Sequence, residues 1–158
     1  MPGRVAMTTD IEPKPEICNC SALRQAARHV TRFYDAFLSP AGLRATQFSI
    51  LAKLRQRGPL TITALAAEMV MDRTTLGRNI RPLQRKGLVA VASGRRDLRS
   101  KELLLTETGL ERLRAAGTPW REAQQRFETL FGVERASALR QFLHIVAATD
   151  FARADAGE

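Results

Sequence analysis

Apolar positions recur at helical spacing from about residue 21 onward. One continuous stripe at intervals of three and four is formed by Leu23, Ala26, Ala27, Val30, Phe33, Tyr34 and Phe37. This spacing predicts an amphipathic helix. We expect Ser21 to be its N-cap and the Ser-Pro-Ala-Gly sequence at 39–42 to end it. The stripe is wide enough to pack against a partner.

Three shorter helical patterns are expected next. Thr46 is the predicted cap of the first, which closes at the Arg-Gly-Pro sequence of 57–59, and Thr61 or Thr63 opens the second. Asp72 is the predicted cap of the third, because its carboxylate can accept hydrogen bonds from free backbone N–H groups and favours the positive end of the helix dipole.

The third helical pattern separates a core face from a basic face. Leu76, Ile80 and Leu83 fall at i, i+4 and i+7, so they are predicted to face the core. Pro82 cannot donate a hydrogen bond to the carbonyl of Arg78, but the apolar stripe continues past it, and we expect a kinked but continuous helix. The outward residues would be Arg73, Thr74, Thr75, Arg78, Arg81 and Arg85.

Two strands are predicted after this helix, at 88–91 and 103–105. The turn between them, at 93–99, carries three arginines: Arg95, Arg96 and Arg99. The strands and the turn together would form a hairpin with a basic tip.

Helical patterns return after the second strand. Thr106 is the predicted cap of a long helix, in which Gly117 and Pro119 predict a kink or a break, and a last helix covers 138–146. The predicted fold is mainly α with a small β-hairpin wing, that is, a winged helix-turn-helix plus a helical dimerisation region. The expected divisions are a flexible arm at 1–17, the helical dimerisation region at 18–45 and 107–151, the DNA-binding winged helix-turn-helix at 46–106, and a flexible tail at 152–158.

Charge narrows the choice of partner. The 158 residues are 44% hydrophobic and carry a formal net charge of +9. The 30 residues from 72 to 101 hold nine Lys or Arg and two Asp, a net charge of +7. This concentration favours a polyanionic partner over a dispersed, solvated basic surface. No apolar run approaches the roughly 18 residues of a membrane-spanning helix, and the N-terminus has no signal-peptide core, so we expect a cytoplasmic protein.

Two short helices at a turn, the second of them basic, match the geometry that places a recognition helix in the major groove of double-stranded DNA. Thr74, Thr75 and Arg78 are the expected base-reading residues, because arginine reads guanine with two hydrogen bonds and threonine can contact bases or the thymine methyl group. The expected contacts to the DNA backbone, which fix register without reading sequence, come from Arg73, Arg81, Thr61, Thr63 and Lys101.

The hairpin tip has the right size for the adjacent minor groove. Arg95, Arg96 and Arg99 would be attracted by the potential of narrow A·T-rich segments. Asp97 is expected to orient an arginine, because a carboxylate that faced phosphate would be repelled.

These residues resemble the MarR family of bacterial regulators. The similarity rests on LAAEMVMDRTTLGRNIRPLQRKGLV at 65–89, the D-x-R of Asp97 and Arg99, and LTETG at 105–109, and it extends from about residue 18 to 148. It implies a triangular homodimer with interlocked terminal helices and two winged domains on a pseudo-palindromic operator. It also implies repression that is relieved when a small molecule, often a phenolic or other aromatic acid, binds between the dimer helices and the winged domain. In family terms, Thr74, Thr75 and Arg78 match base-contacting positions, and Arg99 matches the wing arginine.

An effector pocket between the first and fifth helices could be lined by Arg28, His29, Tyr34 and Trp120. The alternative is that Tyr34 and Trp120 belong only to the dimer core.

Cys18 and Cys20, the chain's two cysteines, raise a second possible function, a redox-sensing repressor. Both lie at the start of the first helix, where a thiol can become reactive, although a disulfide between residues two apart would be strained. The alternative is that they are ordinary small residues at a helix end.

Metal binding and catalysis are not expected. Ligation by the cysteines with His29 or His144 lacks a complete ligand spacing, so no metal or cofactor is predicted. An enzyme is the least favoured class, because no nucleophile–base or phosphate-loop motif is present. An architectural DNA binder without an effector is the remaining alternative.

Overall fold

The computed structural model describes residues 14–94 and 97–152. In these residues six α-helices and a small sheet follow one another as α1 Asn19–Leu38, α2 Ala45–Arg57, β1 Leu60–Thr61, α3 Ile62–Met69, α4 Arg73–Arg85, β2 Val89–Ser93, β3 Lys101–Leu105, α5 Glu107–Phe131 and α6 Val133–Ala148. Short 3-10 turns at Pro15–Ile17 and Ser39–Ala41 flank α1. The predicted fold class is confirmed. Most of the expected N-terminal arm (1–13) and of the expected tail (153–158) lies outside the described residues.

The first helix begins three residues earlier than the sequence predicted. Cys18, not Ser21, is the N-cap, and its sulfur accepts a hydrogen bond from the backbone N–H of Ser21 at 3.4 Å. Ser21 lies within the first turn, where its hydroxyl accepts from Nε2 of Gln25 at 2.9 Å. The predicted cap was therefore wrong, because a sulfur atom fills the acceptor position that oxygen side chains usually take.

The start of α2 also differs from the expected cap at Thr46. The helix begins at Ala45, whose N–H donates to Oδ1 of Asp35 on α1 at 2.7 Å. The N–H of Arg44 donates to Oε1 of Gln47 at 3.1 Å. Because the first of these acceptors comes from another helix, the local pattern around residue 46 could not indicate it.

The sheet is antiparallel, with β3 between β1 and β2. Leu103 of β3 pairs with Leu60 on one side and with Val91 on the other. The predicted hairpin is thus present, and β1 adds a third strand that the sequence analysis did not predict. Its two residues, 60 and 61, are too few to show a period of two.

The hydrophobic core lies where α4 meets the sheet and the preceding helices. Leu76, Ile80 and Leu83 of α4 are buried, as predicted. A buried leucine contributes about 1.5–3 kcal/mol relative to an exposed one, so this face fixes the rotation of α4. The core residues packed with these three are Leu38, Leu43, Ile50, Leu51, Leu54, Leu65, Ala66, Leu88, Val89, Leu103 and Ala116.

Both helices that contain proline are continuous. α4 runs through Pro82, as predicted. α5 runs from Glu107 through Gly117 and Pro119 to Phe131, so of the kink or break expected there, the break is absent. Proline removes a single backbone hydrogen bond, whereas Ala116 and Ala123 of α5 are fully buried on either side of it. Packing therefore holds the helix together across this point.

Candidate nucleic-acid interface

The turn between α3 and α4 is built from two side-chain caps and one left-handed residue. Thr61 caps α3, its hydroxyl accepting from the N–H of Ala64 at 3.1 Å. Val70 then adopts φ 51° and ψ 47°, which ends α3, and the N–H of Met71 donates to the carbonyl of Ala66 at 2.9 Å. Left-handed backbone at a β-branched residue costs roughly 1–2 kcal/mol. The surrounding structure must offset that cost to hold α4 in its place.

The N-terminus of α4 is fixed by Asp72. Its carboxylate accepts from the N–H of Thr75 at 2.8 Å and from the Thr75 hydroxyl at 2.5 Å. The hydroxyl contact, followed by the backbone one, lowers the pKa of Asp72 below its usual value. The predicted cap at Asp72 is confirmed.

The face of α4 opposite the core is exposed and basic. All six residues predicted to point outward are solvent-exposed: Arg73, Thr74, Thr75, Arg78, Arg81 and Arg85. Thr63 and Lys101 are also exposed, and Thr61 is half-buried at its cap. The contacts of these side chains with bases or phosphates stay predictions. The structure brings the α4 residues together on one accessible surface.

The acidic side chain of α3 pairs with another helix. Glu68 of α3 lies 3.3 Å from Nζ of Lys53 and 3.3 Å from Nη2 of Arg57, both on α2. Within residues 14–94 and 97–152, no ion pair includes an arginine of α4. Lys86, just after α4, donates to the carbonyl of Gly42 at 3.0 Å. This lysine anchors the end of the helix, whereas the α4 arginines extend to solvent.

The hairpin tip is held by a turn from Asp97 to Ser100. Oδ1 of Asp97 accepts from the backbone N–H of Arg99 at 2.9 Å, and the carbonyl of Asp97 accepts from the N–H of Ser100 at 3.0 Å. Asp97 therefore orients the backbone at Arg99, which is exposed. Arg95 and Arg96, predicted to enter the minor groove with Arg99, lie outside the described residues.

Two of the four predicted pocket residues line a cavity. Tyr34 of α1 and Trp120 of α5 border a space of about 210 Å³ that also touches α2. Arg28 and His29 are exposed on α1 and do not line it. Sequence reasoning missed Thr31, Phe48 and Ser49 as lining residues. Phe48 had a signal, the apolar pattern of α2, but that pattern does not distinguish a cavity wall from core.

Tyr34 connects this cavity to the C-terminal helices. Its hydroxyl donates to Oε1 of Gln124 at 2.7 Å, and Nε2 of Gln124 donates to Oε1 of Glu128 at 2.8 Å. Nη1 of Arg140 on α6 lies 3.1 Å from the same Glu128 oxygen. Burial, followed by the charge of Glu128, raises the pKa of Tyr34, and Arg140 opposes this effect. Tyr34 is therefore a neutral phenol at physiological pH.

The two cysteines are free thiols at the exposed start of α1. No group of three or more His, Cys, Asp or Glu suited to a metal ion occurs in the described part of the chain. Over the same residues, no helix combines the length and apolar character needed to cross a membrane.

A basic helix after a short turn, followed by a two-stranded hairpin, defines the winged helix-turn-helix class. The MarR family's sequence profile matches residues 43–101. The crystal structure of the transcriptional regulator MosR of M. tuberculosis has 36% sequence identity and a TM-score of 0.68, covering 84% of this chain and 99% of that one. The chain belongs to the MarR family, whose members are transcriptional regulators.

Further relatives are also similar to this chain. The transcriptional repressor CouR, bound to a 23-mer DNA duplex, has 25% identity and a TM-score of 0.74, with 86% of this chain and 99% of CouR covered. YwoH of Bacillus subtilis (strain 168), an uncharacterized HTH-type transcriptional regulator, is 32% identical over 85 residues, which are 54% of this chain and 61% of YwoH. SarZ of Staphylococcus haemolyticus, another HTH-type transcriptional regulator, is 25% identical over 58% of this chain and 62% of its own length. The matched region thus spans less than two thirds of YwoH and of SarZ.

Proposed function

We propose that this protein is a homodimeric, sequence-specific repressor of transcription that binds a pseudo-palindromic operator in double-stranded DNA. The observation that carries the proposal is the orientation of α4. Burial of Leu76, Ile80 and Leu83 leaves its arginines and threonines exposed on one face. Such a face fits the major groove, and a crystal structure of the related MosR in complex with DNA supports the same reading.

The proposed roles of individual residues follow their positions. Thr74, Thr75 and Arg78, in the first turns of α4, read base edges, and Arg73 and Arg81 contact phosphates. Arg99 enters the minor groove from the hairpin tip. Further backbone contacts come from Thr61, Thr63 and Lys101. No catalytic activity, metal or cofactor is part of the proposal, and because its partner is chromosomal DNA, the proposed compartment is the cytoplasm.

Homodimer formation is proposed through the N- and C-terminal helices. Apolar side chains of α6 are exposed in the single chain, Phe142 at 67% and Ile145 at 63%. Contiguous exposed apolar surface of this kind marks an interaction site. A two-fold dimer would place two α4 helices on successive major grooves, as a pseudo-palindromic operator requires.

Release of DNA is proposed to follow binding of a small aromatic molecule in the cavity beside Trp120. The cavity touches α1 and α5, which belong to the proposed dimerisation region, and α2, which belongs to the winged domain. An occupant therefore contacts both regions, and it can shift the equilibrium between two arrangements to the extent that it binds one more tightly. The structure of CouR bound to p-coumaroyl-CoA shares the fold.

Selection from a random duplex library tests the proposal directly. We expect enrichment of a pseudo-palindromic sequence that binds at least about 10³-fold more tightly than scrambled DNA at the same salt concentration. Binding that follows salt alone, with no enriched sequence, would instead indicate an architectural DNA binder.

A thiol-based signal is the second candidate function. It is favoured by the position of Cys18, whose sulfur caps α1, with Cys20 exposed two residues further along the chain. A hydroperoxide would oxidise the two thiols to a disulfide and would itself be reduced to an alcohol and water. This chemistry would remove the cap and strain the start of α1. Peroxide-dependent release of DNA that is lost in Cys20→Ser would support it, and release unaffected by that substitution would exclude it.

A further inference from the structure

One hydrogen bond connects the end of α4 with the loop between α1 and α2. Nζ of Lys86 donates to the carbonyl oxygen of Gly42 at 3.0 Å. The two residues belong to different proposed parts of the chain, the winged domain at 46–106 and the helical dimerisation region at 18–45 and 107–151. Across the residues that the structure describes, every other hydrogen bond between these two parts joins residues no more than four apart in sequence. Lys86 is therefore the one long-range polar link between them in that part of the chain.

The backbone of Lys86 is fixed to α4. Lys86 is the C-cap of the helix, and its N–H donates to the carbonyl of Pro82 at 3.1 Å. Gly87 then adopts φ 68°, and the N–H of Leu88 donates to the carbonyl of Leu83 at 2.9 Å. Both leucines are buried. The point from which the lysine side chain extends therefore moves with the recognition helix.

The acceptor loop is fixed to α1 and α5. Leu38 and Leu43 flank it and are buried, and the N–H of Leu43 donates to the carbonyl of Leu38 at 3.4 Å. From α5, Nη1 of Arg112 donates to the carbonyl of Ala41 at 3.2 Å. A Cβ at Gly42 would lie 2.6 Å from that nitrogen, so this glycine, with φ 72°, leaves room for the guanidinium group. The loop therefore follows the helices of the proposed dimerisation region.

Two cations thus meet adjacent carbonyl groups at the end of α1. The 3-10 turn Ser39–Ala41 continues directly from α1, and the C-terminal end of a helix carries partial negative charge. Lys86 reaches this end from α4, and Arg112 reaches it from α5. Hydrogen bonds in which one partner is charged are roughly twice as strong as those between neutral groups. Within residues 14–94 and 97–152, neither cation takes part in an ion pair, so no carboxylate competes with these carbonyls.

We infer that Lys86 is a positioning residue, which holds α4 at a set orientation to the dimerisation helices and thereby sets the spacing of the two operator half-sites. The inference rests on the proposed function, because spacing has a meaning only for a dimer on a pseudo-palindrome. One base pair moves a half-site by about 3.4 Å along the DNA and rotates it by about 35°. A rigid link between α4 and the dimerisation helices penalises that change, whereas a loose link lets α4 follow the half-site.

A phosphate contact is the other role open to a lysine at the end of a recognition helix. Loss of a phosphate contact weakens binding to all DNA about equally and reduces the salt slope by about 1. Loss of a positioning contact instead changes the preference among spacings. The two roles therefore differ in a measurable way.

Lys86→Met removes the ammonium donor and keeps an unbranched side chain of good helix propensity. With the full-length protein, we would measure affinity by fluorescence anisotropy for the selected operator and for versions with one base pair added or removed between the half-sites. The ratio of affinities for the selected and the altered spacing should fall by about 2- to 10-fold, the range that one hydrogen bond gives. The salt slope should stay that of the wild type. An unchanged ratio, or equal weakening at every spacing with a lower salt slope, would overturn the inference.

Arg85→Met is the matched control. It removes the neighbouring positive charge, which is exposed at the end of α4, and it should leave the spacing ratio unchanged even where it weakens binding. A ratio that falls as far in Arg85→Met as in Lys86→Met would overturn the inference, because charge alone would then explain the effect. Arg112→Met releases the loop from α5 and should also lower the ratio. An unchanged ratio there would overturn the role of Arg112 and leave that of Lys86.

Amide hydrogen exchange of the free protein separates the inference from the proposed function, because local opening is measured without DNA and without a dimer. In Lys86→Met, exchange should become faster in the loop at 39–44 and in the last turn of α4, and it should stay unchanged in the sheet. Unchanged exchange in both segments would overturn the link. If the wild type binds every spacing equally, the proposed dimeric operator is wrong, and the exchange result decides whether Lys86 holds α4 to the loop.

Discussion

Asp72 accepts two hydrogen bonds from Thr75, one from its backbone N–H and one from its hydroxyl. The proton of the Thr75 hydroxyl is therefore committed to the cap of α4. To contact a base edge, Thr75 still has its oxygen lone pairs and its methyl group. It can accept from the amino group of adenine or cytosine or contact the methyl group of thymine. Asp72 therefore fixes the start of the recognition helix and also limits the base-edge groups that Thr75 can contact.

This cap predicts a pH dependence of stability. The hydrogen bonds from Thr75 hold the pKa of Asp72 below its usual value in the folded state. A depressed carboxyl pKa contributes stability that is present above the unfolded pKa of about 3.9 and is lost as the pH falls through the folded pKa. We expect Asp72→Ala to unfold at a lower urea concentration than the wild type at pH 7, with a smaller difference at pH 3.

Asp72→Asn is the matched control for the charge. Asparagine caps helices about as well as aspartate but does not titrate, so this variant should lose less stability than the wild type between pH 5 and pH 3. Parallel loss in both proteins would mean that Asp72 does not contribute to the acid transition.

Arg78→Ala tests the reading surface. Arg78 is exposed on α4, and loss of a bidentate contact to guanine costs about 1–3 kcal/mol. We expect weaker binding to the selected operator, relaxed specificity at one base pair per half-site, and little change on random DNA. Fluorescence anisotropy with single-base operator variants measures both effects. Arg85→Ala, on the same face at the other end of α4, should not relax specificity. Equal weakening on specific and random DNA would show that Arg78 does not read a base.

Arg99→Ala tests the hairpin tip. Asp97 fixes the backbone at Arg99, and a narrow minor groove attracts arginine. The variant should lose affinity mainly on operators with A·T-rich flanks. Lys101→Ala, a phosphate contact in the proposal, should instead weaken binding to all sequences and reduce the salt slope by about 1. An unchanged footprint and affinity for Arg99→Ala would exclude the wing from the interface.

The core face of the recognition helix was predictable, whereas several caps and the cavity were not. Leu76, Ile80 and Leu83 follow a helical period, and local periodicity is sufficient to place them. The cap of α2 comes from Asp35, ten residues away, so it depends on tertiary packing. Propensity overstated the effect of Pro119, because burial of α5 outweighs one lost hydrogen bond. The cavity walls come from three helices, and their arrangement depends on distances that no sequence window contains.

Two glycines should respond to alanine with opposite signs. A Cβ at Gly109 would clash with the carbonyl oxygen of Leu88 and approach Cδ1 of Leu105 to 2.8 Å. Because the obstacle is backbone, Gly109→Ala should destabilise the protein by about 1–3 kcal/mol. A Cβ at Gly77 in α4 meets nothing within 4 Å, and Gly77→Ala should stabilise by up to about 1 kcal/mol from helix propensity. Urea unfolding measures the change in the free energy of unfolding for both variants. Similar values for Gly109→Ala and Gly77→Ala would contradict the packing at the α5 N-terminus.

The apolar face of α6 leads to a prediction about assembly. Phe142 and Ile145 are exposed in the single chain at 67% and 63%, and the proposed dimer covers them. Glutamate at either position would bury an unpaired charge at that interface, which is costly. Light scattering should therefore give the 17.5 kDa of one chain for Phe142→Glu and twice that mass for the wild type. Operator affinity should also be lower for Phe142→Glu than for the wild type, because a monomer reaches only one half-site.

Leu98→Glu at the hairpin tip, where the leucine is 81% exposed, is the matched control and should remain dimeric. If Phe142→Glu is still a dimer, the dimer interface lies elsewhere. If the wild type is a monomer, the proposed dimer is excluded.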